Sequence, residues 1–278
     1  EGDAGSVDFM FTVTIDKPTE QNVTIQYRTV DGTARSGSDY ETASGVLAFG
    51  PGVTAATFTA VVKGDTINEC DEAFTVVLSN SFGQDVNFGA PVAATILDDD
   101  AVQVSVTAPV AAAEGSSFVF TVTLDTASQQ EVSVVYSTRD GTATLAGDYT
   151  SATGTLTFNP GVTSLTVPVS VTGDAVNECD ETFSLGLTNP TGLSCASVSI
   201  GTPSGTATIN DDDPVDISVA QPPAALEGDP LVFHVTMDRP SQQTITVTYN
   251  TADGSATTGS DDYIGASAAQ MVFAPGTT

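Results

Sequence analysis

The sequence predicts an all-β protein built as a tandem of two-sheet sandwiches set end to end, with about seven strands in each. Three observations carry that expectation. Val, Thr, Ala and Gly dominate a chain of 278 residues that has no tryptophan. Its apolar residues fall in short alternating runs rather than in stripes with helical spacing. The motif Asp31-Gly32-Thr33-Ala34 returns as Asp140-Gly141-Thr142-Ala143 and as Asp253-Gly254-Ser255-Ala256, so the chain is a tandem array.

Further landmarks keep the same order in each copy. Asp39-Tyr40 recurs as Asp148-Tyr149 and Asp262-Tyr263, and Pro51-Gly52 as Pro160-Gly161 and Pro275-Gly276. Asn68-Glu69-Cys70-Asp71-Glu72 recurs as Asn177-Glu178-Cys179-Asp180-Glu181, and Asp98-Asp99-Asp100 as Asp211-Asp212-Asp213. Between the landmarks lie the strands. Phe9, Phe11, Val13 and Ile15 alternate in copy one as Phe118, Phe120, Val122 and Leu124 do in copy two, so one face of each strand packs inward. Strands are also expected at 23–29, 45–49, 56–62 and 74–78, each bounded by Gly, Pro, Asp or Asn.

Boundaries after the Asp triplets give copies at 1–100, 101–213 and 214–278. Copy two opens with a strand around Val102, Val104 and Val106. Copy one is expected to lack that first strand and copy three its C-terminal part, so the chain is read as an internal piece of a longer one. Asp100 runs directly into Ala101 and Asp213 into Pro214. Without a Gly/Ser linker, adjacent domains are expected to sit with little slack, as a stiff rod.

Six basic residues stand against 35 acidic ones, a formal charge of −29. Nucleic acid and anionic membrane surfaces are repelled by such a chain, and cations are its natural partners. No apolar run approaches the roughly 18 residues of a membrane span, so no membrane insertion is expected in this fragment. The carboxylates gather at five separated places: Glu1, Asp31, Asp65, Glu69 to Glu72 and Asp98 to Asp100. Copy two repeats them at Glu114, Asp140, Asp174, Glu178 to Glu181 and Asp211 to Asp213. All lie at expected strand ends or turns, where alternate loops of an antiparallel sandwich share one end. A hard cation taking six to eight oxygens relieves the repulsion of such a cluster. Ca²⁺ suits flexible loop carboxylates better than Mg²⁺, which demands a near-ideal octahedron, and Zn²⁺ would want His or Cys.

The order EG, DGTA, DY, PG, GD…E.DE and DDD resembles the Calx-β domain family along the whole chain. These are immunoglobulin-like, Ca²⁺-binding β-sandwiches, found in sodium-calcium exchangers, in integrin β4 and as long tandems in bacterial surface and secreted proteins. The resemblance implies Ca²⁺ ligands at Glu1, Asp31, Asp65, Glu69, Glu72, Asp98, Asp99 and Asp100. It implies Glu114, Asp140, Asp174, Glu178, Glu181, Asp211, Asp212 and Asp213 in copy two, and Glu227 and Asp253 in copy three. The chain departs from calcium-sensing members at Lys63-Gly64-Asp65-Thr66 and Thr172-Gly173-Asp174-Ala175, where they carry a denser acidic run.

Cys70 and Cys179 are equivalent, whereas Cys195 lies in a longer loop, 189–205, with no counterpart in copy one. One pairing is Cys70 with Cys195 across the first domain junction. The alternatives are a Cys179–Cys195 bridge within copy two and three free thiols. A disulfide points to an oxidising, extracellular or cell-surface setting.

His234, the single histidine, lies between Phe233 and Val235 on a strand whose apolar face is read as Leu231, Phe233, Val235 and Met237. It points to the other face and has no nucleophile motif nearby. Paired acids without a sugar-binding cleft do not make a glycosidase, and the chain is read as no enzyme. The expected function is a structural or adhesive Ca²⁺-rigidified module of a large extracellular surface protein or fibre. Its partners would be neighbouring repeats, other copies or cell-surface ligands. The alternatives are a Ca²⁺-sensing regulatory pair of a transporter and a filament subunit completed by strand exchange.

Overall fold

Strands with one alternating apolar face must lay that face on another sheet, and the computed structural model arranges them so. It describes residues 1–82, 86–192, 195 and 197–278. Repeat 1 comprises β1 (Gly5–Thr14), β2 (Val23–Asp31), β3 (Ser44–Phe49), β4 (Ala55–Gly64), β5 (Glu72–Phe82) and β6 (Val92–Ile96). β3, β2, β5 and β6 form one sheet in that order, and β1 pairs antiparallel with β4 opposite it. Aromatic rings bridge the two layers: Phe11 packs edge-on against Phe74, and Tyr27 stacks on Phe58 with centroids 3.9 Å apart.

Repeat 2 comprises β7 (Val102–Thr107), β8 (Ala112–Ala113), β9 (Ser117–Leu124), β10 (Val132–Asp140) and β11 (Thr153–Phe158). It continues with β12 (Ser164–Ser170), β13 (Glu181–Gly192), β14 (Val198–Ile200) and β15 (Ser204–Asn210). Its sheets run β11-β10-β13-β15-β8 and β12-β9-β7-β14. The inward set on β9, Phe118, Phe120, Val122 and Leu124, is buried as its alternation predicts. Full burial of each such side chain contributes about 1.5–3 kcal/mol. The segment expected as a loop over 189–205 instead completes β13 and contributes β14, because Val198 and Ile200 find a parallel partner in β7.

Repeat 3 contains two antiparallel pairs, β16 (Ile217–Ala220) with β17 (His234–Met237) and β18 (Ile245–Tyr249) with β19 (Ala269–Phe273). His234 is exposed as expected, and Met237 is buried. Leu231 and Phe233, read as part of the inward face, are instead 54% and 55% exposed. Both precede the first paired residue of β17, so no ladder holds them to an inward register. No helix is long and apolar enough to cross a membrane among the described residues.

Candidate metal centres

The recurring motifs sort into those that build the scaffold and those that gather charge. Asp-Gly-Thr-Ala is scaffold. The Gly32 backbone passes so close to β5 that an added Cβ would lie 2.3 Å from the Ala73 carbonyl oxygen. Thr33 Oγ1 accepts from the Ala73 N–H at 2.8 Å, and Ala34 is fully buried. Asp31 accepts from the Tyr40 hydroxyl at 2.6 Å and from the Ser36 N–H at 3.0 Å. These bonds hold its carboxyl below the usual range. Asp140 does the same for Tyr149 and Leu145, and Asp253 for Tyr263 and Thr258. The tyrosine so held stacks on the core, Tyr40 on Phe74 at 4.3 Å and Tyr149 on Phe183 at 4.5 Å.

Among the described residues, each of the first two repeats brings two groups of three carboxylates together, with ligand atoms within 4.8 Å of one another. In repeat 1 they are Glu1, Asp98 and Asp100, and Asp39, Glu69 and Glu72. In repeat 2 they are Glu114, Asp212 and Asp213, and Asp148, Glu178 and Glu181. The local fold explains the convergence. Asp39 sits in the β2–β3 connection, Glu69 and Glu72 at the entry to β5, and Asp98 to Asp100 just past β6, all at one end of the sandwich.

Asp39 and Asp148 entered the sequence reading only as landmarks beside their tyrosines. Their signal is the shared spacing from the Asp-Gly-Thr-Ala loop in the first two copies: the backbone N–H of Arg35 bonds to Asp39 and that of Thr144 to Asp148, and these turns aim both acids at their groups. Asp31, Asp140 and Asp253, expected as ligands, are not brought into any group, because their oxygens are committed to tyrosines and turn amides. Asp65 and Asp174 cap their own loops through Ile67 N and Val176 N, each at 2.7 Å. Asp99 accepts from the Gly2 N–H at 2.8 Å. Asp211 accepts from Asn177 and from the Glu178 N–H, and Glu227 is exposed.

Crowding of the carboxylates shows in the electrostatics. Burial first, and then the neighbouring acids Asp39, Glu72, Asp65 and Glu1, push Glu69 up to about 7. Glu72 rises to about 7 from burial, its hydrogen bond with Asp39 and that residue's charge. Glu178 and Glu181 reach about 7 for the same reasons, and burial raises Asp98, Asp100 and Glu114. Glu72 Oε2 and Asp100 Oδ2 are buried without a hydrogen-bond partner. Such an oxygen costs free energy unless something neutralises it. An all-oxygen set of clustered carboxylates with orphaned atoms fits a hard divalent cation of the Ca²⁺ type.

The groups lie at the domain junctions. Asn68, buried in repeat 1, donates from Nδ2 to Asp98 Oδ2 at 3.2 Å and to the Asp100 carbonyl. Its Oδ1 accepts from the Ser128 hydroxyl of repeat 2 at 3.0 Å, and its backbone pairs with Ala127 and Gln129 at 3.0 and 2.8 Å. The second junction repeats the device with Asn177, Asp211, Ser241, Pro240 and Gln242. The Gln129 amide reaches Glu69, and Gln242 reaches Glu178. Cys70 is bonded to Cys195 across the first junction, with Cα atoms 5.3 Å apart, inside the usual range of disulfides. Cys179 is free and exposed.

Known proteins resemble the chain in sequence. The chain is 31% identical over 177 residues to the sodium/calcium exchanger Calx of Drosophila melanogaster, covering 60% of this chain and 18% of that protein. It is 32% identical over 190 residues to sodium/calcium exchanger 1 of Canis lupus familiaris, covering 60% and 20%. The chain thus spans about a fifth of the length of the curated relatives it matches. Among solved structures, CBD12 from CALX1.2 matches with a TM-score of 0.36 and 22% identity, over 73% of this chain and 92% of that one. The apo-form Calx CBD1 domain matches with a TM-score of 0.35 and 30% identity, over 40% and 99%. The expected extracellular or cell-surface placement is overturned, since the matched relatives are sodium/calcium exchangers rather than secreted surface proteins. The Cys70–Cys195 bond assigns no compartment. The Calx-beta domain profile matches residues 3–102, 98–214 and 210–278, and on these three matches, end to end along its length, the chain belongs to the Calx-beta domain family.

Proposed function

We propose that the chain is a Ca²⁺-binding regulatory tandem within a larger protein, the cation being held by the paired acid groups of each full repeat. This reading is preferred to the surface-fibre reading because the matched relatives are named sodium/calcium exchangers. The observation that carries it is the position of Asn68. One amide touches Asp98 of the Glu1, Asp98 and Asp100 group and Ser128 of the next repeat, so a change in charge at that group reaches the domain interface within one residue.

Asp39, Glu69 and Glu72 would hold one ion, with Glu1, Asp98 and Asp100 flanking the junction; Asp148, Glu178 and Glu181 would serve in repeat 2. Bound Ca²⁺ supplies the positive charge that the cluster lacks. The protein's own part is to orient the oxygens through the turns of Asp39 and Asp148 and to transmit their state through Asn68 and Asn177. Domain boundaries after Asp100 and Asp213 accord with this division, since each acid triplet then closes its own repeat.

Calorimetric titration of Ca²⁺ into the chelator-treated chain tests the reading. Affinity between about 10⁻⁷ and 10⁻⁵ M is the expected sensor range. Binding only near about 10⁻³ M would make the tandem a stiffened spacer instead, a role that the Cys70–Cys195 bridge also favours. The absence of binding heat and of any thermal stabilisation would reject both.

A further inference from the structure

The two junctions share the Asn–Ser contact but differ in what stands beside the third Asp of the triplet. At the second junction, Arg239 of repeat 3 donates from Nη1 to Asp213 Oδ1, and its Nε lies 3.4 Å from Asp238 Oδ2. The guanidinium therefore sits on a member of the Glu114, Asp212 and Asp213 group. At the first junction the equivalent residue is Thr126. Both follow an Asp whose carboxylate accepts a backbone N–H at 2.7 Å, Asp125 from Gln103 and Asp238 from Asp216. Both precede by two the serine that bonds the asparagine.

At the first junction, no basic side chain pairs with Asp100 among the described residues. Asp100, 8% exposed, has a buried Oδ2 without a partner, and Thr126 Oγ1 is buried and unpartnered as well. A buried carboxylate oxygen demands compensation by a charge or by hydrogen bonds, and a guanidinium supplies both. The same backbone frame thus carries a protein cation at one junction and two orphaned oxygens at the other.

We infer that the residue at the Thr126/Arg239 place decides which cation the junction holds. At the first junction it is a divalent ion bound by Glu1, Asp98 and Asp100, with Thr126 Oγ1 as the neutral oxygen contributed by the following repeat. At the second junction the Arg239 guanidinium takes the ion's place, so repeat 2 binds a divalent ion at Asp148, Glu178 and Glu181 but not at Glu114, Asp212 and Asp213. The inference rests on the proposed Ca²⁺ binding and adds that the two full repeats hold unequal numbers of ions, set by a residue outside either repeat's own acid groups.

Equilibrium dialysis of the chelator-treated whole chain against saturating Ca²⁺ counts the ions. Arg239→Thr is expected to bind one Ca²⁺ more per chain than wild type, and Thr126→Arg one fewer. Arg239→Gln, which removes the charge while keeping a long polar side chain, is expected to gain the ion too and serves if Thr126→Arg does not fold. Melting in chelator is expected to be lowered by Arg239→Thr and restored by Ca²⁺. Wild type that binds Ca²⁺ while both Arg239 variants keep its ion count would overturn the inference alone. Wild type that binds none would overturn it together with the reading beneath it.

Discussion

At the residue scale, Asp31 and Asp39 are both carboxylates in one connection, eight positions apart, with opposite tasks. Asp31 holds the Tyr40 hydroxyl, whereas Asp39 is 8% exposed and faces Glu69 and Glu72. Replacing Asp39 with Asn is expected to weaken Ca²⁺ binding by at least about tenfold, since affinity follows the charge of the ligand set. Asp31→Asn is expected to lower the melting temperature and leave Ca²⁺ affinity unchanged. Calorimetry on the two variants separates these outcomes. The acids were legible in the sequence as a class, but composition cannot tell an oxygen committed to a tyrosine from one left open. That distinction depends on which loop amide each carboxylate meets, and it explains why Asp31 and Asp140 were expected in the groups while Asp39 and Asp148 were not.

The raised carboxyls also set a pH dependence. Glu69, Glu72, Glu178 and Glu181 sit at about 7 in the folded chain against an ordinary 4.5. Between those values the folded state holds protons that the unfolded state has released, so stability falls as pH rises and levels off above about 7. In chelator, the melting temperature is expected to drop from about pH 5 to about pH 7.5. With Ca²⁺ present the ion replaces the protons, and the trend is expected to disappear or reverse. A flat profile in chelator would contradict the crowding of these groups.

At the scale of elements, alternation on β9 and the Pro-Gly turns announced strands and corners correctly, because one-sided burial imposes a period of two whatever the partner. What the sequence did not announce is the asparagine contact across the junction. Gly52 N–H bonds to the Thr19 carbonyl as Gly161 bonds to Ser128 and Gly276 to Ser241, so each Pro-Gly turn braces the loop that receives an asparagine at the two junctions. The asparagine itself was visible in both full copies ahead of Glu69 and Glu178, yet its partner lies 60 residues away in the next repeat. Asn68→Ala removes the amide donor to Asp98 Oδ2 and the acceptor of the Ser128 hydroxyl, and is expected to destabilise the chain by about 1–3 kcal/mol. Chemical denaturation in chelator measures it, and loss of Ca²⁺-dependent change at the junction is expected alongside.

At the scale of the whole molecule, the first junction is held by main-chain hydrogen bonds, by side-chain contacts next to the acid groups and by one covalent bond. Cys70→Ser is expected to cost about 2–5 kcal/mol of stability, since the bond closes a long loop across the junction. It is expected to leave the Asp148, Glu178 and Glu181 group unaffected. The most direct test of the central claim, that the paired acid groups are cation sites, is crystallography of the chain with Ca²⁺ using anomalous difference maps. The account predicts ion density within bonding distance of Asp39, Glu69 and Glu72 and of Asp148, Glu178 and Glu181, with Glu72 Oε2 as a ligand. Maps with no ion at either place in the presence of excess Ca²⁺ would contradict it.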